Sequence, residues 1–118
     1  MPNGKVYILQ KPFRDRDFSS AARYGAIDYI FESGESPSLT TPKAIFKIRT
    51  KLKDFNSDED YLVASGGDPI VPLLVGSILQ TLGIKEYSFL RWERERDLNN
   101  KLTSAGFYVP VSVNLRQF

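Results

Sequence analysis

The chain has 118 residues and a net charge of +2, with 42% hydrophobic and 25% charged residues. This is typical of one globular domain, here residues 1–118, that buries a core without disulfides or a metal. Because the sequence contains no cysteine and no histidine, thiolate chemistry is excluded, and the commonest general base and transition-metal ligand are missing. The segment MPNGKVYILQKPF lacks the apolar core of a signal peptide.

The first half of the chain is predicted to alternate strands and helices. Apolar runs and turn residues predict strand Lys5–Gln10, short helix Asp17–Tyr24, strand Ala26–Phe31 and helix Pro42–Asp54. The second helix has an apolar stripe at three- and four-residue spacing, formed by Ile45, Ile48, Leu52 and Phe55. Thr41 directly precedes Pro42 and is predicted to cap this helix.

Residues 60–91 are the most informative stretch. The apolar run Tyr61–Ser65 predicts a strand, and Gly66 and Gly67 predict a turn after it. Asp68 is then predicted to cap a helix that runs over Ile70–Leu82. The helix contains no charged residue, and Gly83 is expected to end it. A helix apolar on nearly every side is expected to be buried on nearly every side, within the domain or partly in a partner. The run is too short and interrupted to predict a membrane span.

The C-terminal part predicts two more strands around a polar loop. Residues 84–91 form the first, Asp97–Gly106 the loop, and Phe107–Leu115 the last strand, which alternates cleanly. Pro110 lacks an amide hydrogen, which favours a sheet edge for this strand. Strands that alternate with helices predict an α/β domain with a mixed, mostly parallel sheet of about five strands and two or three helices. The last two strands have no helix between them and are candidates for antiparallel pairing.

The predicted helix Pro42–Asp54 carries a cluster of positive charge. No acidic residue occurs in it before Asp54, and its five cations are Lys43, Lys47, Arg49, Lys51 and Lys53. Like charges at this spacing repel each other, and the phosphates of a nucleic acid would relieve the repulsion. A solvated face opposite the apolar stripe explains the same pattern. Both interpretations stay open, with these five residues as candidate nucleic-acid-binding residues.

The turn Gly66, Gly67 and Asp68 is a second candidate site. Glycines before a helix N-terminus can expose amides to a phosphate, and ligands of open α/β sheets bind beyond the carboxyl ends of strands. The segment matches no phosphate-binding motif, however, and the Asp68 carboxylate would repel a phosphate. A structural cap is the favoured interpretation, with a ligand site as the alternative.

The remaining aromatic and acidic residues give weaker indications of function. Trp92 lies among arginines in LRWERERD and either stacks on a base or packs at the strand end. Two carboxylates that lie two residues apart can bridge a divalent cation, and such pairs occur at Asp15 and Asp17, Asp58 and Asp60, and Glu93 and Glu95. Such pairs are routine at turns, so no metal, cofactor or catalytic residue is predicted, and binding is favoured over catalysis.

Four segments together resemble small uncharacterised accessory proteins of tailed bacteriophages. They are FSSAARYG leading into a strand, DYLVASGGDP, LRWER and the closing YVPV. The chain departs from that pattern by its paired Gly66 and Gly67 and by a longer loop at Asp97–Gly106. The resemblance implies a viral accessory protein in the cytoplasm of a host bacterium, and it brings no catalytic residues.

The leading functional hypothesis is a non-enzymatic protein that binds a host or viral macromolecule, either a protein or, through the basic helix, nucleic acid. One alternative is a small phosphate- or nucleotide-handling enzyme that uses the Gly66–Asp68 turn. Another is a self-assembling protein. A homodimer is expected, through the apolar surface of helix Ile70–Leu82 rather than through the proline-containing edge strand.

Overall fold

A five-stranded sheet carries two α-helices on one face and a short 3-10 helix on the other. The structure is a computed structural model that describes residues 3–14, 16–65 and 67–117. Its strands are β1 (Lys5–Gln10), β2 (Ala26–Phe31), β3 (Tyr61–Val63), β4 (Glu86–Arg96) and β5 (Leu102–Asn114). Its helices are α1 (Thr41–Leu52), α2 (Ile70–Thr81), and 3-10 helices at Ser19–Tyr24 and Leu115–Gln117.

The strand order is β2-β1-β3-β4-β5. The first three pairings are parallel, and the β4–β5 pairing is antiparallel and the longest. The predicted α/β class with a mixed five-stranded sheet is confirmed. Pro110 lies in the edge strand β5, opposite Leu90, where its missing amide hydrogen is tolerated.

Strand β1 is apolar on both faces because helices cover both sides of the sheet. Tyr7 and Leu9 belong to the core cluster that contains the buried sides of α1 and α2. Val6 and Ile8 point the other way, into a smaller cluster closed by Phe18 and the 3-10 helix Ser19–Tyr24. This double burial explains why an uninterrupted apolar run marks β1 in the sequence.

Helix α1 buries the stripe that its sequence predicts. Ile48 and Leu52 are completely buried, and Ile45 packs partly against the same cluster. The predicted cap at Thr41 is wrong, because the helix already begins at that residue. The hydroxyl of Thr41 instead donates to backbone carbonyls of the preceding loop.

Helix α2 is buried on one side within the chain, so burial on nearly every side inside the domain is not observed, and burial of the other side in a partner stays a prediction. Its buried residues are Val71, Val75, Ile78 and Leu79, whereas Leu73 is 68% exposed. A single sheet face and one neighbouring helix cover only part of a helix surface, whatever its composition. Gly83 has a φ of +78° and follows the end of the helix, as predicted.

The predicted polar loop Asp97–Gly106 is strand in its second half only. Strand β4 runs to Arg96, and β5 begins at Leu102. The turn between them is organised by the carboxylate of Asp97, which accepts the amides of Asn99 and Lys101 at 2.9 and 3.0 Å. Because β3 ends at Val63 rather than at Ser65 as predicted, the far half of the β4–β5 hairpin projects beyond it.

Candidate functional site

The structure divides the five candidate cations, four in α1 and Lys53 directly after it, into two groups. Lys47 pairs with Glu35 at 2.7 Å, and Lys51 pairs with Asp28 at 3.1 Å. These two lysines have no acidic partner within the helix but find one elsewhere in the fold. The partners come from β2 and from the loop that follows it, which the sequence of the helix alone does not reveal.

The other three cations lie on the outward side of α1. Residues three and four apart share one face of a helix, so Lys43, Phe46, Arg49 and Lys53 form one stripe, which we call the basic-aromatic stripe. Within the described parts of the chain, no carboxylate lies within 4.0 Å of its cations. Phe46 is 73% exposed.

Sequence reasoning missed Phe46, although a signal for it was present. Phe46 is apolar but lies out of phase with the buried positions Ile45, Ile48 and Leu52. An apolar residue outside the buried stripe of an amphipathic helix is predicted to face solvent. Phe46 therefore lies on the same outward surface of α1 as the cations.

The Lys47–Glu35 pair fixes one flank of the stripe. Burial acts to raise the pKa of Glu35, but hydrogen bonds from Lys47 and from the Glu32 amide, with the charge of Lys47, hold that pKa below its ordinary value. The Lys47 ammonium also lies 5.2 Å from the centre of the Phe31 ring. Lys47 is thus held by two contacts, and its charge is largely matched.

At the glycine turn, the structure shows Asp68 acting as a cap and a link. Its carboxylate accepts the amide of Ile70 at 3.1 Å, and it accepts the hydroxyl and amide of Ser38 at 2.5 and 2.9 Å. These bonds, that from the Ser38 hydroxyl foremost, lower the pKa of Asp68. Gly67 is exposed, and Gly66 lies outside the described residues. Since Asp68 already occupies the first amide of α2, a phosphate fits poorly at this turn.

A cavity of about 350 Å³ adjoins this turn, beyond the carboxyl ends of β1 and β3. Gln10 lines it and is only 5% exposed. The Gln10 side-chain amide donates to the carbonyls of Glu32 and Glu35 at 3.4 and 2.9 Å, and among the described residues its oxygen has no hydrogen-bond partner. Glu35, Asp68, Lys11 and Phe13 also line the cavity, so its walls combine charges of both signs with apolar surface.

The opposite end of the sheet is held by Asp60, which is 7% exposed. Its carboxylate accepts the amides of Lys5 and Asn56, both at 2.8 Å. Burial, together with the charges of Asp60, Asp28 and Asp54, raises the pKa of Tyr7 to about 12. Both oxygens of Asp60 accept backbone amides, which leaves the carboxylates of Asp58 and Asp60 poorly suited to a cation.

The other carboxylate pairs are no better suited to a metal. Glu93 forms an ion pair with Arg91, and Asp15 lies outside the described residues. Across residues 3–14, 16–65 and 67–117, no group of three or more acidic, histidine or cysteine residues could hold a metal ion.

Trp92 packs within the protein. Its ring lies 5.0 Å from that of Tyr108, measured between centroids, at an angle of 66°. A side-chain carbon at Gly106 would come within 2.7 Å of the indole and still closer to the Glu93 carbonyl, so the indole lies against bare backbone. This contact agrees with the interpretation of Trp92 as a packing residue.

No helix in the described part of the chain is long and apolar enough to cross a membrane. The chain matches the family described as "Phage Pam3 gp32-like protein" over residues 4–115, a range that includes all five strands and both α-helices. No curated protein and no solved structure matches it. The resemblance to small tailed-phage proteins is confirmed, and the chain belongs to the family of phage Pam3 gp32-like proteins.

Proposed function

We propose that this phage-associated protein is a non-enzymatic binding protein that acts in the host bacterial cytoplasm and contacts nucleic acid through the outward side of α1. The observation that carries the proposal is the basic-aromatic stripe. Its three cations have no acidic partner in the part of the chain that the structure describes, and they flank an aromatic side chain that is 73% exposed.

The charges favour a polyanionic partner. Lys47 and Lys51 are neutralised by acids of the same chain, whereas Lys43, Arg49 and Lys53 remain to bind phosphates. Each cation that neutralises a phosphate releases counterions, so affinity falls as salt rises. With only three such contacts, the affinity is weak and independent of sequence. A host or viral protein with an acidic surface is the rival partner.

The alternative function, an enzyme that handles a phosphate or a nucleotide at the Gly66–Asp68 turn, has less support. The Asp68 carboxylate accepts the Ile70 amide that such a ligand would need. Its negative charge also opposes an anion at that position.

Fluorescence anisotropy with a labelled oligonucleotide tests the proposal. At about 50 mM salt we expect binding that weakens steeply by about 200 mM. Reversing Lys43, Arg49 and Lys53 to glutamate should abolish it. The matched control reverses Lys85, Lys101 and Arg116, which are exposed and lie outside α1, with an identical change in net charge.

The two triple variants separate a local site from a general charge effect. Equal losses in both would contradict a site on α1, and the absence of any binding by the unmodified protein at low salt would remove nucleic acid as the partner. Reversal of Lys47 and Lys51 is less informative, because it also breaks two ion pairs.

A homodimer through α2 is a second proposal, favoured by the exposed, uncharged side of that helix. Leu73 and Leu82 are 68% and 40% exposed, and exposed apolar surface of this kind marks association sites. Light scattering should give twice the monomer mass of 13.4 kDa, and Leu73→Lys should restore the monomer. Leu98→Lys, in the hairpin turn, is the control. A monomer mass for the unmodified protein across a dilution series would refute the dimer.

A further inference from the structure

Phe46 is the uncharged residue of the basic-aromatic stripe, so the binding of phosphates by cations does not explain why its ring is exposed. The same helix buries Ala44, Ile48 and Leu52 almost completely, so the core has its apolar side without Phe46. Placing a phenyl ring in water forgoes the free energy that its burial would contribute. A partner that covers this ring would recover that free energy.

The surroundings of the ring restrict what can cover it. Lys43 lies three residues before Phe46 and Arg49 three residues after it, and the shallow surface beside the ring is lined by Lys43, Lys47 and Thr50. An apolar protein surface pressed onto the ring would strip water from these cations without pairing them, which is unfavourable. The partner must therefore combine a flat apolar group with closely spaced negative charge.

An unpaired nucleotide has this combination. Its base presents a π-face that stacks on an aromatic side chain, and its phosphate lies beside the base. In a duplex, each base face is already stacked on its neighbours, so a side chain on the convex surface of a helix meets base edges and backbone but no free π-face. Duplex would therefore use the cations of the stripe and offer the ring no base to stack on.

We infer that the basic-aromatic stripe binds single-stranded nucleic acid in preference to duplex, with a base stacked on Phe46 and phosphates held by Lys43 and Arg49. The inference rests on the proposed function and adds the class of nucleic acid and the residue that selects it. Because every base offers a π-face, the preference is for strandedness and not for sequence.

The experiment compares fluorescein-labelled oligothymidine with a labelled duplex of equal length at one salt concentration, using the full chain and variants of Phe46. We expect the single strand to bind more tightly than the duplex. Phe46→Ala and Phe46→Leu should each weaken single-strand binding about 5- to 150-fold, the range expected for one lost base–aromatic stack. Neither should change duplex affinity.

Phe46→Tyr is the matched control, since it keeps an aromatic face and should retain single-strand affinity. Phe46→Leu keeps an apolar side chain, so it separates stacking from simple apolar contact. The salt dependence of single-strand binding should be the same in all Phe46 variants, because the cations are intact. The exposure of the side chain makes these substitutions compatible with folding, which far-UV circular dichroism checks.

Two outcomes would overturn the inference and leave the proposed function standing: Phe46→Ala weakening single strand and duplex equally, or Phe46→Leu keeping full affinity. Polyglutamate competing as well as oligothymidine at equal charge would also overturn it, by showing a surface for any polyanion, acidic proteins included. Failure of both oligonucleotides to bind at low salt would overturn the proposed function as well.

Discussion

Helices α1 and α2 are alike in size and position but opposite in surface. Each has 12 residues, and both bury one side in the same core cluster. Helix α1 carries four cations and is followed directly by a fifth, Lys53, whereas α2 carries no charged residue. The buried sides are dictated by the sheet, which requires apolar residues at the contacting positions of either helix. The outward sides are free of that requirement, so their difference indicates different uses of the surface.

The two helices also begin differently. Helix α2 starts with the Asp68 carboxylate bonded to the Ile70 amide. The residue before α1, Thr40, makes no side-chain cap, and its hydroxyl donates backwards to the Ser36 carbonyl. The loop that enters α1 is nevertheless held, because Ser38 within it binds Asp68. One carboxylate therefore orders the entry to both helices.

The largest expected effect is the loss of stability when a buried leucine is truncated, and it tests whether α1 and α2 are equally well packed against the sheet. Leu52 of α1 and Leu79 of α2 are both completely buried, so Leu52→Ala and Leu79→Ala should each lower the free energy of unfolding by about 2–5 kcal/mol. Urea denaturation measures this. Leu73→Ala, at an exposed position of α2, is the control and should cost less than about 0.5 kcal/mol in the monomer. A small cost for either buried leucine would show that its helix is loosely packed.

The next effect concerns the segment that leaves α1. Asp60→Ala removes the acceptor of two amides, those of Lys5 and Asn56, and an unsatisfied buried amide costs about 1–3 kcal/mol. Asp60→Asn keeps one side-chain acceptor and should cost less. Chemical denaturation of both variants decides the matter, and equal losses would mean that the charge of Asp60, rather than its hydrogen bonds, stabilises this end of the sheet.

A smaller effect distinguishes the two helix starts. Asp68→Ala should lower the melting temperature, because the Ile70 amide and Ser38 lose their acceptor. Thr40→Ala should leave it almost unchanged. Differential scanning calorimetry compares the two variants. A melting temperature that rises in Asp68→Ala would indicate that the carboxylate is kept for a ligand at the expense of stability.

The smallest expected effect is the loss of stability at low pH, to which the carboxylates of Asp68 at the start of α2 and of Glu35 beside α1 both contribute. The pKa of Asp68 is held below 3.8 by its hydrogen bonds with Ser38 and Ile70, so its contribution to stability is present above that pH and is lost as the pH falls through the folded-state pKa. Glu35, beside α1, also has its pKa lowered from 4.5, so its contribution to stability is likewise lost as the pH falls.

Asp68→Asn and Glu35→Gln should each flatten the acid limb of the stability profile. Added salt should reduce the Glu35 effect more, because part of it depends on the charge of Lys47. An unchanged acid limb in Asp68→Asn would contradict the assigned hydrogen bonds.

Much of the fold could be predicted from local pattern. The bounds of β1 and β2 match the prediction, because a central strand and its parallel neighbour read as apolar runs between turn residues. The loop prediction is wrong for residues 102–106, which belong to β5, for the opposite reason. Their side chains are mostly exposed on both faces, so no alternation appears, and the strands are specified by pairing of backbone groups.

The candidate site could be predicted only in outline. The cluster of cations on α1 is visible in the sequence, but Glu35 and Asp28, which neutralise two of them, come from other elements. Such pairs depend on how β2 lies beside α1, which composition does not determine. In the structure, the pairing of Lys47 and Lys51 removes them from the candidate site, which is instead formed by Phe46 and its neighbours.

The contact between Trp92 and Gly106 has a consequence for how this family can diverge. The indole lies where a side chain at position 106 would be, so the two positions share one volume across the hairpin. The carbonyl of Glu93 lies closer still to that position, and a backbone atom stays in place whatever side chain a relative carries at position 92. Glycine at position 106 is therefore required with or without the tryptophan, and a relative with a side chain there must have moved the backbone of this hairpin.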